Sequence, residues 1–156
     1  MLKLYKPELN DLWFRQILLG DPDTMAYNVK WGGAISFPKE KWSSWYELWV
    51  CDKEKHFYRY LSDTETNEFV GETAYHYDEA RKIFICDIIV LARLRGKGYG
   101  TEGLRLLCES AKSNGIDVIY DDIAADNPSI NLFLKNGFVI DHQNDEIVMV
   151  KKELLR

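Results

Sequence analysis

Three glycines and two cations fall within six residues at Arg95-Gly96-Lys97-Gly98-Tyr99-Gly100. Residues of these types at this spacing suit the holding of an oxygen-rich anion. Small residues let the backbone approach closely, and the unpaired N–H groups of a first helical turn point at the ligand. The helix dipole there favours negative charge. Arg95 and Lys97 would add direct charge against a phosphate. No G-x-x-x-x-G-K-[ST] loop occurs, and no Cys/His spacing matches a metal site.

The elements around this stretch are those an anion cradle needs. Ile83-Phe84-Ile85-Cys86-Asp87-Ile88-Ile89-Val90-Leu91 is a nearly unbroken apolar run, the pattern of a strand buried on both faces. After the glycines, Leu104, Leu107, Cys108 and Ala111 fall at helical spacing, with Glu102, Arg105, Glu109 and Lys112 on the other side. Asn114-Gly115 supplies the stop.

Upstream, residues 7–19 read as a helix entered by Pro7 and closed by Gly20, and 21–37 as a long loop carrying Gly32-Gly33. Residues 38–50 read as a second helix, whose stripe of Trp42, Trp45, Tyr46 and Trp49 is expected to be core. Strands are expected at 56–61 and 69–77, then at 117–123. A helix opened by Asn127-Pro128 and stopped at Asn136-Gly137 follows, then strands at 138–141 and 146–150. The order predicts a single α/β domain over 1–156, a mixed sheet between helices.

Composition sets bounds. A chain of 156 residues that is 46% hydrophobic can bury a sizeable core. A net charge of −5 argues against general nucleic-acid or anionic-membrane binding. No apolar run approaches the roughly 18 residues of a membrane span, and the amino terminus lacks a signal core. Cys51, Cys86 and Cys108 are therefore expected to be reduced, buried thiols, and the chain cytoplasmic. His56, His76 and His142 lie far apart and are expected in strands or loops.

Gly98-Tyr99-Gly100-Thr101-Glu102-Gly103 formally fits the dinucleotide pattern G-x-G-x-x-G, with Asp121 or Asp122 about 20 residues on. Its context disagrees, because too little chain follows for further βαβ crossovers. The stretch Val90-Leu91-Ala92-Arg93-Leu94-Arg95-Gly96-Lys97-Gly98 instead resembles the [QR]-x-x-G-x-[GA] pyrophosphate loop of the GNAT superfamily of acyl-CoA-dependent N-acetyltransferases. The block from Asn127 to Gly137-Phe138 resembles that family's Asn-headed helix closing in Gly-Phe, although gapless counting puts Asp126 at the Asn position. The resemblance implies a mixed, mostly antiparallel sheet flanked by helices on both faces, and acetyl-CoA as cosubstrate. It places the pyrophosphate on the amides of Gly96, Lys97, Gly98, Tyr99, Gly100 and Thr101, and the pantetheine arm between splayed strands. Backbone amides at Val90 and Leu91 would hold the thioester carbonyl, and Asn127 and Phe133 would border the sulfur end.

An amine of pKa near ~10 must lose a proton before it attacks, so a carboxylate or His is expected nearby. The resemblance points to Asp121, with Asp122 one residue away; Glu72 is a second candidate, though a surface strand carboxylate is the favoured reading of that residue. The proton donor common in the family is a Tyr at the position of Phe133, which cannot donate; Tyr99, Tyr120, Tyr75, Tyr77 or water would replace it. The acceptor would approach past residues 21–37, where Tyr27, Trp31, Trp42, Asp21 and Asp23 could cradle a cation. The expected acceptor is a small-molecule primary amine. A peptide or protein amine is the alternative, and a non-catalytic acyl-CoA-binding module the rival from another class. The resemblance also leaves room for a homodimer.

Overall fold

In the computed structural model, which describes residues 1–155 apart from the side chains of Lys30 and Trp31, seven strands form one sheet. They are β1 (Leu2–Tyr5), β2 (His56–Asp63), β3 (Phe69–Asp78), β4 (Ile83–Val90), β5 (Val118–Ala124), β6 (Val139–Gln143) and β7 (Ile147–Glu153), in the order β1-β2-β3-β4-β5-β7-β6. Every neighbouring pair is antiparallel except β4 and β5. The expected mixed, mostly antiparallel sheet is therefore present.

That single parallel pair positions the site. Its register covers only Phe84↔Ile119 and Ile85↔Tyr120, although both strands run on for four residues or more beyond it. Past Ile85 the strands part, and the backbone groups of β4 that would have met β5 face an opening.

Helices cover both faces. One core gathers Leu12, Phe14 and Leu18 from α1 (Trp13–Gly20) and the preceding turn, Trp42 from α2 (Trp42–Tyr46), and Tyr58, Tyr60 and Ile89 from the sheet. The other gathers Leu104, Leu107, Cys108 and Ala111 from α3 (Tyr99–Ser113), Phe133 from α4 (Ser129–Lys135), and Cys86, Ile119 and Ile123. Gly103 lets α3 settle onto the sheet, because a Cβ there would stand 2.9 Å from both Ile88 Cδ1 and Leu61 Cδ1. Gly115, at φ +84°, ends α3 in the left-handed conformation.

Several expectations need correction. A strand, Leu2–Tyr5, precedes the first helix, which starts as a 3-10 turn at Leu9–Asp11. The second helix is broken into a 3-10 turn (Lys39–Lys41), α2 and a π-helical turn (Glu47–Cys51). Within the expected loop, Ala26–Trp31 form a 3-10 helix. Cys51 is exposed, and only Cys86 and Cys108 are buried free thiols. Of the aromatic stripe only Trp42 is buried in the core, stacked on Phe37, while Trp45, Tyr46 and Trp49 are partly buried against it, Trp45 edge-on to Tyr58 and Trp49 on His56 and His76. Among the described residues, no helix is long and apolar enough to cross a membrane.

Candidate active site

The glycine loop leaves β4 through a 3-10 turn at Ala92–Leu94 and enters α3 at Gly98. Gly96 and Gly98 sit at φ +83° and +87°, a region L side chains rarely adopt. These two reversals are what Gly96 and Gly98 make possible. After Arg95 N–H, which bonds Ala92 O at 3.2 Å, the next amide with a backbone carbonyl partner is that of Glu102, on Gly98 O at 3.1 Å. Among the described residues the six amides of Gly96, Lys97, Gly98, Tyr99, Gly100 and Thr101 have no carbonyl partner, a donor set matched to a diphosphate.

Arg95 departs from expectation. Its Nε donates to Val90 O at 3.1 Å and its Nη2 to Thr24 O at 2.9 Å, so it braces the base of the loop. Tyr99 is likewise anchored, its hydroxyl on Asp63 Oδ2 at 2.6 Å.

The two strand-end amides separate. Leu91 N–H bonds Val70 O at 2.9 Å and is unavailable to a thioester. Successive amides along a strand point in opposite directions, so Val90 N–H faces the opening, where β5 has parted. Of the two expected donors, only Val90 has the required orientation.

Carboxylates line the same opening. Register places Asp87 opposite Ala74 and Glu72 opposite Ile89, so both lie on the face covered by α1. Asp121, two residues beyond Ile119, lies on the α3 face. Asp87 and Asp121 thus flank the parted strands from opposite sides. Water reaches both, yet protein surrounds them. Partial burial raises the Asp87 carboxyl to about 7; the negative charge of Glu72 adds to the rise and the Arg15 cation opposes it. Burial also holds Asp121 well above the ordinary carboxylate range, with Asp87 and Asp122 adding repulsion. Tyr27, at the start of the 3-10 helix Ala26–Trp31, is pushed upward by burial and then by the charges of Asp87, Glu72 and Asp121. Its phenol therefore stays protonated, within electrostatic reach of the acids.

Glu72 and Asp122 are engaged elsewhere. Glu72 is 3% exposed, not a surface carboxylate. It receives Arg15 Nη1 at 2.5 Å and the Tyr58 hydroxyl. Asp122 pairs with Arg81 at 2.9 Å.

Asn127 Oδ1 caps the first turn of α4 by accepting Ser129 N–H at 2.9 Å. Phe133, expected beside the sulfur, is 1% exposed and packs edge-on against Phe138. Of the alternative tyrosines, Tyr75 accepts from Asn114 at the far end of α3. Asp21 accepts the Thr24 hydroxyl, Trp42 is core, and the Trp31 side chain lies outside the described residues.

Asp87 and Arg15 are the residues sequence reasoning missed. Asp87 had a signal, as the one charged residue in the apolar run of β4.

Comparisons with known proteins agree with this fold. The acetyltransferase (GNAT) family profile matches residues 20–138. A solved spermidine N-acetyltransferase from Vibrio cholerae, in complex with CoA and spermine, superposes with a TM-score of 0.81 at 17% identity, over 98% of this chain and 95% of that one. An N-acetyltransferase from Staphylococcus aureus Mu50 superposes at 0.79 and 17% identity, over 99% of both chains. In sequence, 58 residues, or 37% of the chain, are 34% identical to the tRNA(Met) cytidine acetyltransferase TmcA 2 of Saccharolobus solfataricus; this match spans 8% of that protein's length.

Proposed function

Because the chain belongs to the acetyltransferase (GNAT) family, we propose that it moves an acetyl group from acetyl-CoA to a primary amine of a small cationic molecule, in one direct step. The observation that carries this reading is the pair Asp87 and Asp121 at a strand opening headed by six unpaired loop amides. The residues fit the cosubstrate. The amides of residues 96–101, with Lys97 beside them, would hold the pyrophosphate, and Val90 N–H would meet the thioester carbonyl. Acetyl-CoA supplies an acyl group already activated as a thioester.

The chain then has two tasks. Val90 N–H stabilises negative charge growing on the carbonyl oxygen. The ammonium form of the amine gives its first proton to solvent water, and Asp87, poised near neutrality, accepts the second as the nitrogen attacks, directly or through one water. Asp121, on the other side of the parted strands, offers a carboxyl oxygen that accepts a hydrogen bond from an ammonium group at the opening. Protonated Asp87, an acid of pKa about 7, can return its proton to the departing thiolate, which answers the missing tyrosine at Phe133. Tyr27 has its hydroxyl held too weakly acidic to supply that proton, and it serves as a hydrogen-bond donor. Spermidine and spermine, named with the Vibrio cholerae structure, are the kind of multiply charged amine that such an acid pair suits.

The direct test is thermal melting with acetyl-CoA, with NAD as the control. At 100 times its dissociation constant a bound ligand adds about 2.7 kcal/mol; acetyl-CoA is expected to raise the melting temperature and NAD to leave it unchanged. Thiol release with an amine panel should then favour di- and polyamines over amino acids, whose carboxylate would meet Asp87 and Asp121. A rise with NAD alone, or turnover restricted to peptides, would overturn the proposal.

The raised carboxyl also has a stability signature. Between about pH 5 and 7 Asp87 keeps its proton when folded and loses it when unfolded, so its contribution to stability is present at low pH and is lost as pH rises through about 7. His76, lowered by burial and by His56, works in the opposite direction. The comparison is therefore made against Asp87→Asn, which keeps His76. The melting temperature of wild type minus that of Asp87→Asn should grow as pH falls from 7 to 5. A flat difference would count against the raised carboxyl.

A further inference from the structure

Residues 21–37 and the glycine loop belong to different substrates in the reading above, yet they share a joint. Thr24 is 0% exposed. Its Oγ1 accepts Ala92 N–H at 3.0 Å, its hydroxyl donates to Asp21, and its carbonyl takes Arg95 Nη2 at 2.9 Å. Arg95 Nε closes the joint on Val90 O at 3.1 Å. One buried threonine and one arginine thus tie the segment before the glycines to the segment before Tyr27. Beyond Thr24, the chain is fixed by Met25, which is 1% exposed in the core, and by bonds from Asn28 N–H to Met25 O and from Gly33 N–H to Asn28 O, both 2.9 Å. A displacement at residue 24 therefore moves the stretch that carries Tyr27, because this stretch is closed on itself.

We infer that Arg95 is a positioning residue joining the two substrate sites rather than a phosphate ligand, so that filling the glycine loop orders residues 25–33 over the acceptor opening. The inference rests on the acetyltransferase reading only in assigning the loop to the CoA diphosphate. The coupling is reciprocal: an amine beneath Tyr27 would tighten cofactor binding by the same factor. A phosphate ligand would act alone, without Thr24.

The probe is 3′-phospho-ADP, the nucleotide portion of CoA without its pantetheine arm, which reaches the loop but not Tyr27. Its affinity is measured by calorimetry and the order of residues 25–33 by amide hydrogen exchange. In wild type the nucleotide should slow exchange in residues 25–33 several-fold. Thr24→Val and Arg95→Met should each bind the nucleotide within a few-fold of wild type and lose most of that protection. The double variant should lose no more than either single one, because both break one joint, and Thr24→Ser should restore it. Protection retained in Thr24→Val would overturn the inference. So would a fall in nucleotide affinity of tenfold or more in Arg95→Met with Thr24→Val unaffected, which would make Arg95 a direct ligand. Failure of wild type to bind the nucleotide or CoA would overturn the loop assignment itself, a result distinct from either.

Discussion

Replacing Asp87 by Asn is expected to lower turnover by about 10²- to 10⁴-fold, the range that a positioned proton acceptor supplies, while leaving CoA affinity near that of wild type. Asparagine keeps the size and accepts a hydrogen bond but takes no proton. The residue stands on β4 opposite Ala74, on the face of α1, where burial and Glu72 raise its carboxyl to about 7. In wild type the rate should rise with pH through that value, because Asp87 must be ionised to act. In Asp87→Asn this acid limb should disappear. Asp121→Asn should act chiefly on the amine's KM, since Asp121 reaches the opening from the opposite face. A threefold or smaller change in kcat for Asp87→Asn at saturating amine would move the proton-accepting role to Asp121. Steady-state rates across pH 5.5–9, with CoA titrations on each variant, decide between them.

How much of this could be read beforehand follows from how local each signal is. The glycine loop was legible because its chemistry is contained in consecutive residues: left-handed turns at Gly96 and Gly98, then a helix start. The alternation of β4 marks which of its residues share a face. It does not show that β5 leaves after Ile85, and that departure is what turns Asp87 from a misplaced core charge into a lining residue. Glu72 looked like a surface carboxylate because strand polarity says nothing of a partner 57 residues away; Arg15 meets it only once α1 packs on the sheet. The contacts of Arg95 were hidden for the complementary reason. A cation among glycines fits phosphate, and only the path of residues 21–37 shows Thr24 O within its reach. Leu91 follows from register alone, since the direction of its amide depends on its pairing with Val70.

Arg15→Met should be the most destabilising single change near the site, costing about 3–5 kcal/mol, as loss of one member of a buried ion pair does. For a chain of this length that is a fall in melting temperature of roughly 6–20 °C. The guanidinium lies 4.2 Å from the Trp45 ring centroid, 5.2 Å from that of Phe37 and 5.4 Å from that of Tyr58, and its Nη1 is 2.5 Å from Glu72 Oε1. Methionine preserves most of the apolar contact, so the loss isolates the charge. Left without Arg15, Glu72 keeps only the Tyr58 hydroxyl in a setting 3% exposed, and it must either hold an uncompensated charge or take a proton. The double variant Arg15→Met/Glu72→Gln removes both charges and should recover most of the loss. The same pair sets the charge felt by Asp87, which Glu72 raises and Arg15 lowers. The acid limb of the rate should therefore move to higher pH in Arg15→Met and to lower pH in Glu72→Gln. A purely structural pair would weaken both variants without moving the two profiles in opposite directions. A melting temperature within about 2 °C of wild type for Arg15→Met, or limbs that shift together, would show that the buried guanidinium neither supports the fold at Glu72 nor tunes Asp87.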